Sequence, residues 1–357
     1  MNETAPVVLS SRSTRAGRLA AAAATLVAAT VGAVAARLGG LPLPWLLGSL
    51  FATALVGLVG APIRPIRHGR TVGQVVVGSA IGVQFNTKVI LTLLSLLHLM
   101  AAVALVSVLV GACGALLLMR LARLDKTTAF FATVPGGVAE MVNIAPRYGA
   151  ELEPIMLAQT MRVGLIVSLA PFLVIQFAHG AGSSVAPAVI MGWPVALLLV
   201  TAAALGGAAL SSFTFPNAWF MGAIAVGIVF GSLGLAEGRL PDLVLIPAQI
   251  LIGASLGVQF RREFLTRLLR LLLASSVAVV FSAVAMALIG AGVAEALAYP
   301  IPTMVLAFAP AGMAEMVLTA KLLGLDGPVV AGFQLVRIVI ILLLAQPAYR
   351  LFAKLVA

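Results

Sequence analysis

Val134-Pro135-Gly136-Gly137-Val138-Ala139-Glu140-Met141 decides how the chain is read, and it returns as Ala309-Pro310-Ala311-Gly312-Met313-Ala314-Glu315-Met316. Both copies lie in otherwise apolar sequence, and both set a helix-breaking Pro and Gly ahead of a carboxylate. A carboxylate at bilayer depth is costly, and broken backbone there is tolerated only where it is buried in protein or lines a cavity. A chain that does both, twice, is building a site, and the rest of the sequence reads as its scaffold.

The bilayer enters through composition. Of 357 residues, 62% are hydrophobic and 9% charged, and the mean hydropathy is +1.17. Such a chain is an all-α polytopic membrane protein with room for roughly ten crossings of about 20 residues each. The net charge of +11 sits in short clusters between apolar runs. Positive-inside placement accounts for it, so direct nucleic-acid binding is not expected. The single cysteine, Cys113, reads as a small packing residue. His68, His98 and His179 match no metal-ligand spacing, and no phosphate loop or Ser/His/Asp set is present. The expectation is therefore no metal, no cofactor and no enzyme. Arg12, Arg15 and Arg18 precede an Ala-rich run too long for a secretory signal, which reads as an uncleaved first helix.

In chain order the expectation is a cytoplasmic tail over 1–16 and helices over 18–38 and 45–60. A basic loop over 61–70 leads to a small-residue helix over 71–85 and a long helix over 89–121. A re-entrant hairpin over 127–148 and a helix over 154–178 carrying Arg162 follow. The pattern then returns. QVVVGSAIGVQF from Gln74 is matched by QILIGASLGVQF from Gln249, and the Gln74/Gln249, Pro135/Pro310 and Arg162/Arg337 pairs all share one offset along the chain. This predicts two repeats, 17–181 and 182–357, the second with its hairpin at 300–322. Charge predicts that they are inverted. Arg64, Arg67 and Arg70 precede the small-residue helix of the first copy, whereas Arg261, Arg262, Arg267 and Arg270 follow that of the second. Positive-inside placement then sets equivalent loops on opposite sides. Five helices plus a hairpin per repeat satisfies this with both termini in the cytoplasm.

Glu140 precedes Arg162 by the same interval that separates Glu315 from Arg337. One reading is a salt bridge pinning each hairpin to the next helix. The other is a solute site at the meeting of the two tips, built from Pro135, Gly136, Gly137, Glu140, Asn143 and Arg162 with Pro310, Gly312, Glu315 and Arg337. Gln84, Gln159, Gln259 and Gln334 are supporting residues, most simply interhelical hydrogen-bond groups. Asn143 has Leu318 as its counterpart, an asymmetry without a polar partner.

The duplication, the PGGVAEM/PAGMAEM pair and the two GxxxGVQF elements resemble the AbrB family of bacterial inner-membrane proteins over roughly 20–350. The family carries two labels, regulator of gene expression and ammonia monooxygenase. The second conflicts with the missing metal ligands, and the first implies indirect regulation through a solute. More remotely, the layout is similar to cation/proton antiporters, bile-acid-type symporters and two-hairpin citrate-type carriers. The antiporters' adjacent buried Asp residues are absent here, and Ala311 replaces the first Gly of the second motif. The resemblance implies a secondary transporter in the bacterial inner membrane moving a small polar or charged solute by alternating access. Its expected partners are the bilayer, the solute, a coupling H+ or Na+, and a second copy as a homodimer. The alternatives are a solute-binding membrane sensor or a structural subunit of a membrane complex.

Overall fold

The computed structural model describes residues 15–178, 189–213, 215–266 and 268–356. The tail as far as residue 14, His179, the division between repeats at 181/182 and Arg267 lie outside the described residues. Among the described residues the chain is helical, with one isolated bridge, Ile190 to Arg239.

The first run of helices is α1 (Arg15–Leu38), α2 (Pro44–Val59), α3 (Gly69–Gly82), α4 (Thr87–Ser95), α5 (Leu97–Ala122), α6 (Lys126–Thr133), α7 (Val138–Ile144) and α8 (Leu152–Ala178). The second is α9 (Trp193–Ser211), α10 (Ala218–Ser232), α11 (Asp242–Gly257), α12 (Arg262–Thr266), α13 (Leu269–Ala296), α14 (Ile301–Phe308), α15 (Met313–Leu322) and α16 (Gly327–Leu355). The starts of α6 and α14, of α7 and α15, and of α8 and α16 are separated by one common offset, the same that relates Pro135 to Pro310. Leu43 and Asn217, the residues before α2 and α10, both hold left-handed backbone with φ of 48° and 50°. That conformation suits Asn and is unusual for Leu.

Among the described residues six helices, α1, α5, α8, α9, α13 and α16, are long and apolar enough to cross a membrane. The chain is therefore a multi-pass membrane protein. The other four expected crossings, α2, α3, α10 and α11, have only 14 to 16 residues. At 1.5 Å per residue even the longest reaches about 24 Å, short of a hydrocarbon core of about 30 Å. The expected single helix over 89–121 is instead two, meeting at Leu96, and α4 lies bent by 98° from α3. No Gly or Pro marks the break at Leu96, and no residue of α4 is buried. A continuous apolar run hides a change of direction when the first turns lie along the surface. Cys113, read as a packing residue, is exposed on the outer face of α5.

The helices associate in two groups that each draw on both halves. In one, α2 packs on α1 and α11, and α3 on α10. In the other, α5 and α8 pack on α13, and α16 on α5, α14 and α15. Glycine permits the tightest contacts. A Cβ on Gly32 would strike the Gly48 carbonyl, and one on Gly206 the Gly222 carbonyl. The two groups meet where α3 touches α15 and α16, and α11 touches α8.

Both broken segments return to where they began. Asp125 caps α6 by accepting from the amides of Thr127 and Thr128, each at 2.9 Å. After α7 the Glu151 amide donates to the Thr128 hydroxyl at 2.9 Å, and Phe131 stacks on Tyr148. In the second hairpin the Tyr299 hydroxyl donates to Asp326 at 2.9 Å, and Asp326 also caps α16 through the Val329 amide. Burial and this bond push the Tyr299 phenol above its ordinary range.

Candidate functional site

The tips follow from what a helix break leaves behind. α6 ends at Thr133 and α14 at Phe308, and the Pro135 and Pro310 that follow have no N–H to offer. Carbonyls are orphaned there, at a helix end carrying partial negative charge. The next long helix supplies donors. Arg162 gives Nη1 to the Val134 carbonyl at 3.1 Å and Nη2 to that of Gly136 at 2.8 Å. Arg337 gives Nη1 to Ala309, and Nη2 to Ala311 at 2.9 Å. One turn earlier, Gln159 Nε2 reaches the carbonyls of Phe131 and Val134, and Gln334 Nε2 those of Leu306, Ala307 and Ala309. Each bond from a guanidinium is worth about 1.5–3 kcal/mol.

The expected Glu140–Arg162 and Glu315–Arg337 salt bridges are therefore absent, because the arginines serve carbonyls. The glutamates go to the opposite helix ends. Glu140 and Glu315 stand in the first turns of α7 and α15, just after Gly137 and Gly312, the residues that precede those helices. Each carboxylate folds back so closely that a Cβ on that glycine would collide with its Oε2. Carboxylates are favoured at helix N-termini. Glu315 is fully buried and accepts from Arg70 Nη2 at 2.8 Å, while its Oε2 has no partner among the described residues. Glu140 is only half-buried and makes no ion pair among the described residues.

The two tips face one cavity of about 430 Å³. Pro135, Gly136, Gly137, Glu140 and Arg162 line it from one side, and Gly312 and Arg337 from the other. Glu315 sits behind this wall, joined to it through Arg70. Three expected site residues lie elsewhere. Pro310 borders an apolar groove between α8, α13 and α14, while Asn143 and Gln84 are exposed and outside the lining. Asn143 follows the tip by more than a helical turn, and Gln84 belongs to the end of α3 remote from the cavity. The four glutamines do not share one environment. Gln259 lines the cavity and accepts from Thr160 at 3.3 Å, whereas Gln159 and Gln334 are buried as carbonyl partners.

Sequence reasoning passes over Arg70, Asn217, Thr160 and Phe260, all in the lining. Within the basic loop Arg70 looks like one of three equivalent charges. What sets it apart is its counterpart in the second copy, which is the apolar Leu245. Asn217 has a sign in its own motif, since the left-handed turn before α10 brings this residue to the cavity wall.

The cavity's charges are three guanidiniums and the Glu140 carboxylate, with Glu315 one bond behind. Arg162 and Arg337 are each at most 5% exposed, and the Nε of both lacks a partner among the described residues. The rest of the wall mixes neutral polar groups with apolar ones such as Leu256, Phe260 and Ile338. Such a site can hold a small solute with a charged end and an apolar body.

Residues 45–353 match the family described as transition state regulatory protein AbrB. The uncharacterized protein YhjN of Bacillus subtilis (strain 168) is 28% identical over 347 residues, covering 88% of both chains. AbrB of Escherichia coli (strain K12), named as a proposed regulator, is 27% identical over 234 residues, covering 64% of this chain and 67% of its own. No solved structure matches.

Proposed function

The chain belongs to the AbrB family, and from that premise and the cavity we propose that it is a secondary transporter. It moves a small polar or charged solute across the bacterial inner membrane by alternating access. The observation that carries this reading is the cavity lined by both broken tips, at the seam between two helix groups. Discontinuous helices around a central site are the arrangement by which transporters expose backbone to solute without exposing it to lipid.

The reading includes a duplicated, inverted architecture with both termini in the cytoplasm. It is supported by the shared order of elements and by the position of the basic loops. Arg262 packs against Gly60, so the loop after α11 lies beside the loop after α2. Arg70 and Phe260, each beside a basic loop that charge assigns to the cytoplasm, border the same cavity. At the far end Lys321 donates to the Ala80 carbonyl at 2.6 Å. The reading further takes H+ or Na+ as the coupling ion, a homodimer as the assembly, and no enzymatic step.

Reconstitution in liposomes tests this. Flux of a solute that stabilises the purified protein is expected, and Glu140→Gln and Glu315→Gln are each expected to lower it at least tenfold. A well-folded protein that binds solute and moves none overturns the transporter reading. That outcome favours a membrane sensor acting indirectly on gene expression, the reading that the regulator names of the family and of the E. coli relative support.

A further inference from the structure

We propose that the solute is a small organic anion with one carboxylate, and that Arg70 is the group that binds it, in exchange with Glu315. This rests on the transport reading for its purpose but on charge and geometry for its chemistry.

At each tip the charges are already answered. Arg162 and Arg337 sit on the carbonyl ends of α6 and α14, and Glu140 and Glu315 fold over the opposing glycines. A helix end is worth about half an elementary charge. Two arginines on two negative ends and two glutamates on two positive ends therefore sum to about zero. What remains is Arg70. It is the third guanidinium in the lining against the two glutamates, and among the described residues no carboxylate other than Glu315 pairs with it.

Arg70 is also the arginine with capacity to spare. Its side chain is 40% exposed, and its hydrogen bond to Glu315 Oε1 engages Nη2 alone. Arg70 lines the cavity, where a guanidinium can give a carboxylate two parallel bonds. Arg162 and Arg337 stand in the same wall, and the buried Nε of each has no partner among the described residues. Leu256, Phe260 and Ile338 give the hydrocarbon part an apolar surface, which favours an organic acid over inorganic phosphate. A cationic solute would have Glu140 alone to meet it, against a net positive wall.

The exchange has a structural consequence. Arg70 begins α3, in one helix group, and Glu315 belongs to α15, in the other. Their bond is a tie across the seam, so a carboxylate that takes Arg70 from Glu315 loosens the contact between the groups.

Equilibrium binding and thermal shift on the purified full chain test this, with short monocarboxylates, amines of the same skeleton and inorganic phosphate up to about 10 mM at constant ionic strength. Carboxylates are expected to raise the melting temperature, and amines and phosphate to leave it unchanged. Arg70→Gln is expected to weaken carboxylate binding more than tenfold, and Glu315→Gln to tighten it several-fold, because the internal competitor is gone. The double variant Arg70→Gln/Glu315→Gln removes both charges and keeps the fold if the single arginine change does not. It is expected to bind no carboxylate. A response to amines alone, a response to no probe in either the parent or Glu315→Gln, or carboxylate binding unchanged without Arg70 overturns the proposal. Flux of a solute other than an anion would overturn it while leaving the transporter reading in place. Carboxylate binding of this pattern without flux would do the reverse.

Discussion

At the scale of single residues, the tips turn on which group meets which helix end. Arg337→Met takes the side-chain donor from the Ala311 carbonyl, while the Ala309 carbonyl keeps Gln334. It is expected to cost about 1–3 kcal/mol, read as a lower melting temperature in detergent. The glycine pair predicts a sharper contrast. At Gly137 and Gly312 a Cβ occupies the place of the glutamate carboxylate, so Gly312→Ala is expected to keep the fold and, like Glu315→Gln, to lower flux at least tenfold. At Gly136 a Cβ meets only the flexible end of Met141, and the equivalent residue is already Ala311, so Gly136→Ala is expected to keep normal flux. Equal flux by the two variants would mean that the carboxylates do not need their seats over the glycines. The residues of the tips were legible from sequence because Pro, Gly and Glu in an apolar run have few uses. Their partners were not. The spacing from Glu140 brings Arg162 to the correct hairpin, but whether it meets the carboxylate or the carbonyls depends on which end of a broken helix faces it.

At the scale of elements, small residues set the depth of packing, and close contacts can be ranked. A Cβ on Gly82 of α3 would run into the backbone of α10 at Ile224 and Gly227. Backbone cannot swing aside, so Gly82→Ala is expected to destabilise by about 1–3 kcal/mol, as overpacking does. Gly292 of α13 has open space where its Cβ would be, and Gly292→Ala is expected to be neutral or to stabilise by up to about 1 kcal/mol. Unfolding of both variants in one detergent checks this, and equal effects would refute the claimed crowding at α3. The crowding of α3 could be anticipated from Gly73, Gly78 and Gly82, and both hairpins from their breakers. The turn at Leu96 could not. Hydropathy reports how much a segment avoids water, and a helix lying along the surface satisfies it as well as one that crosses.

At the scale of the whole molecule, the proposed inverted orientation makes a packing prediction. Arg64, Arg262 and Phe260 border a common recess, so the loops after α2 and α11 share an end of the molecule. The Gly82–Gly227 contact and the Lys321–Ala80 bond set the other end of α3 beside α10 and α15. If the copies ran parallel through the bilayer, the loops after α2 and α11, which hold different places in their repeats, would have no reason to meet. In an inverted pair they lie on the same face. Single cysteines decide the matter in a background where the exposed Cys113 is replaced by Ser. Cysteines at Arg64 and Arg262 are expected to react with an impermeant reagent only from the cytoplasmic face, and one at Lys88 only from the opposite face. Labelling of Lys88→Cys and Arg262→Cys from one side would reduce the offset shared by the two halves to a repeat in sequence alone. It would also strip the cavity of its symmetry argument, because the two tips could no longer enter the bilayer from opposite faces to meet at its centre. The charge argument for Arg70 would survive that result, since it depends on what faces the cavity and not on which way the halves run.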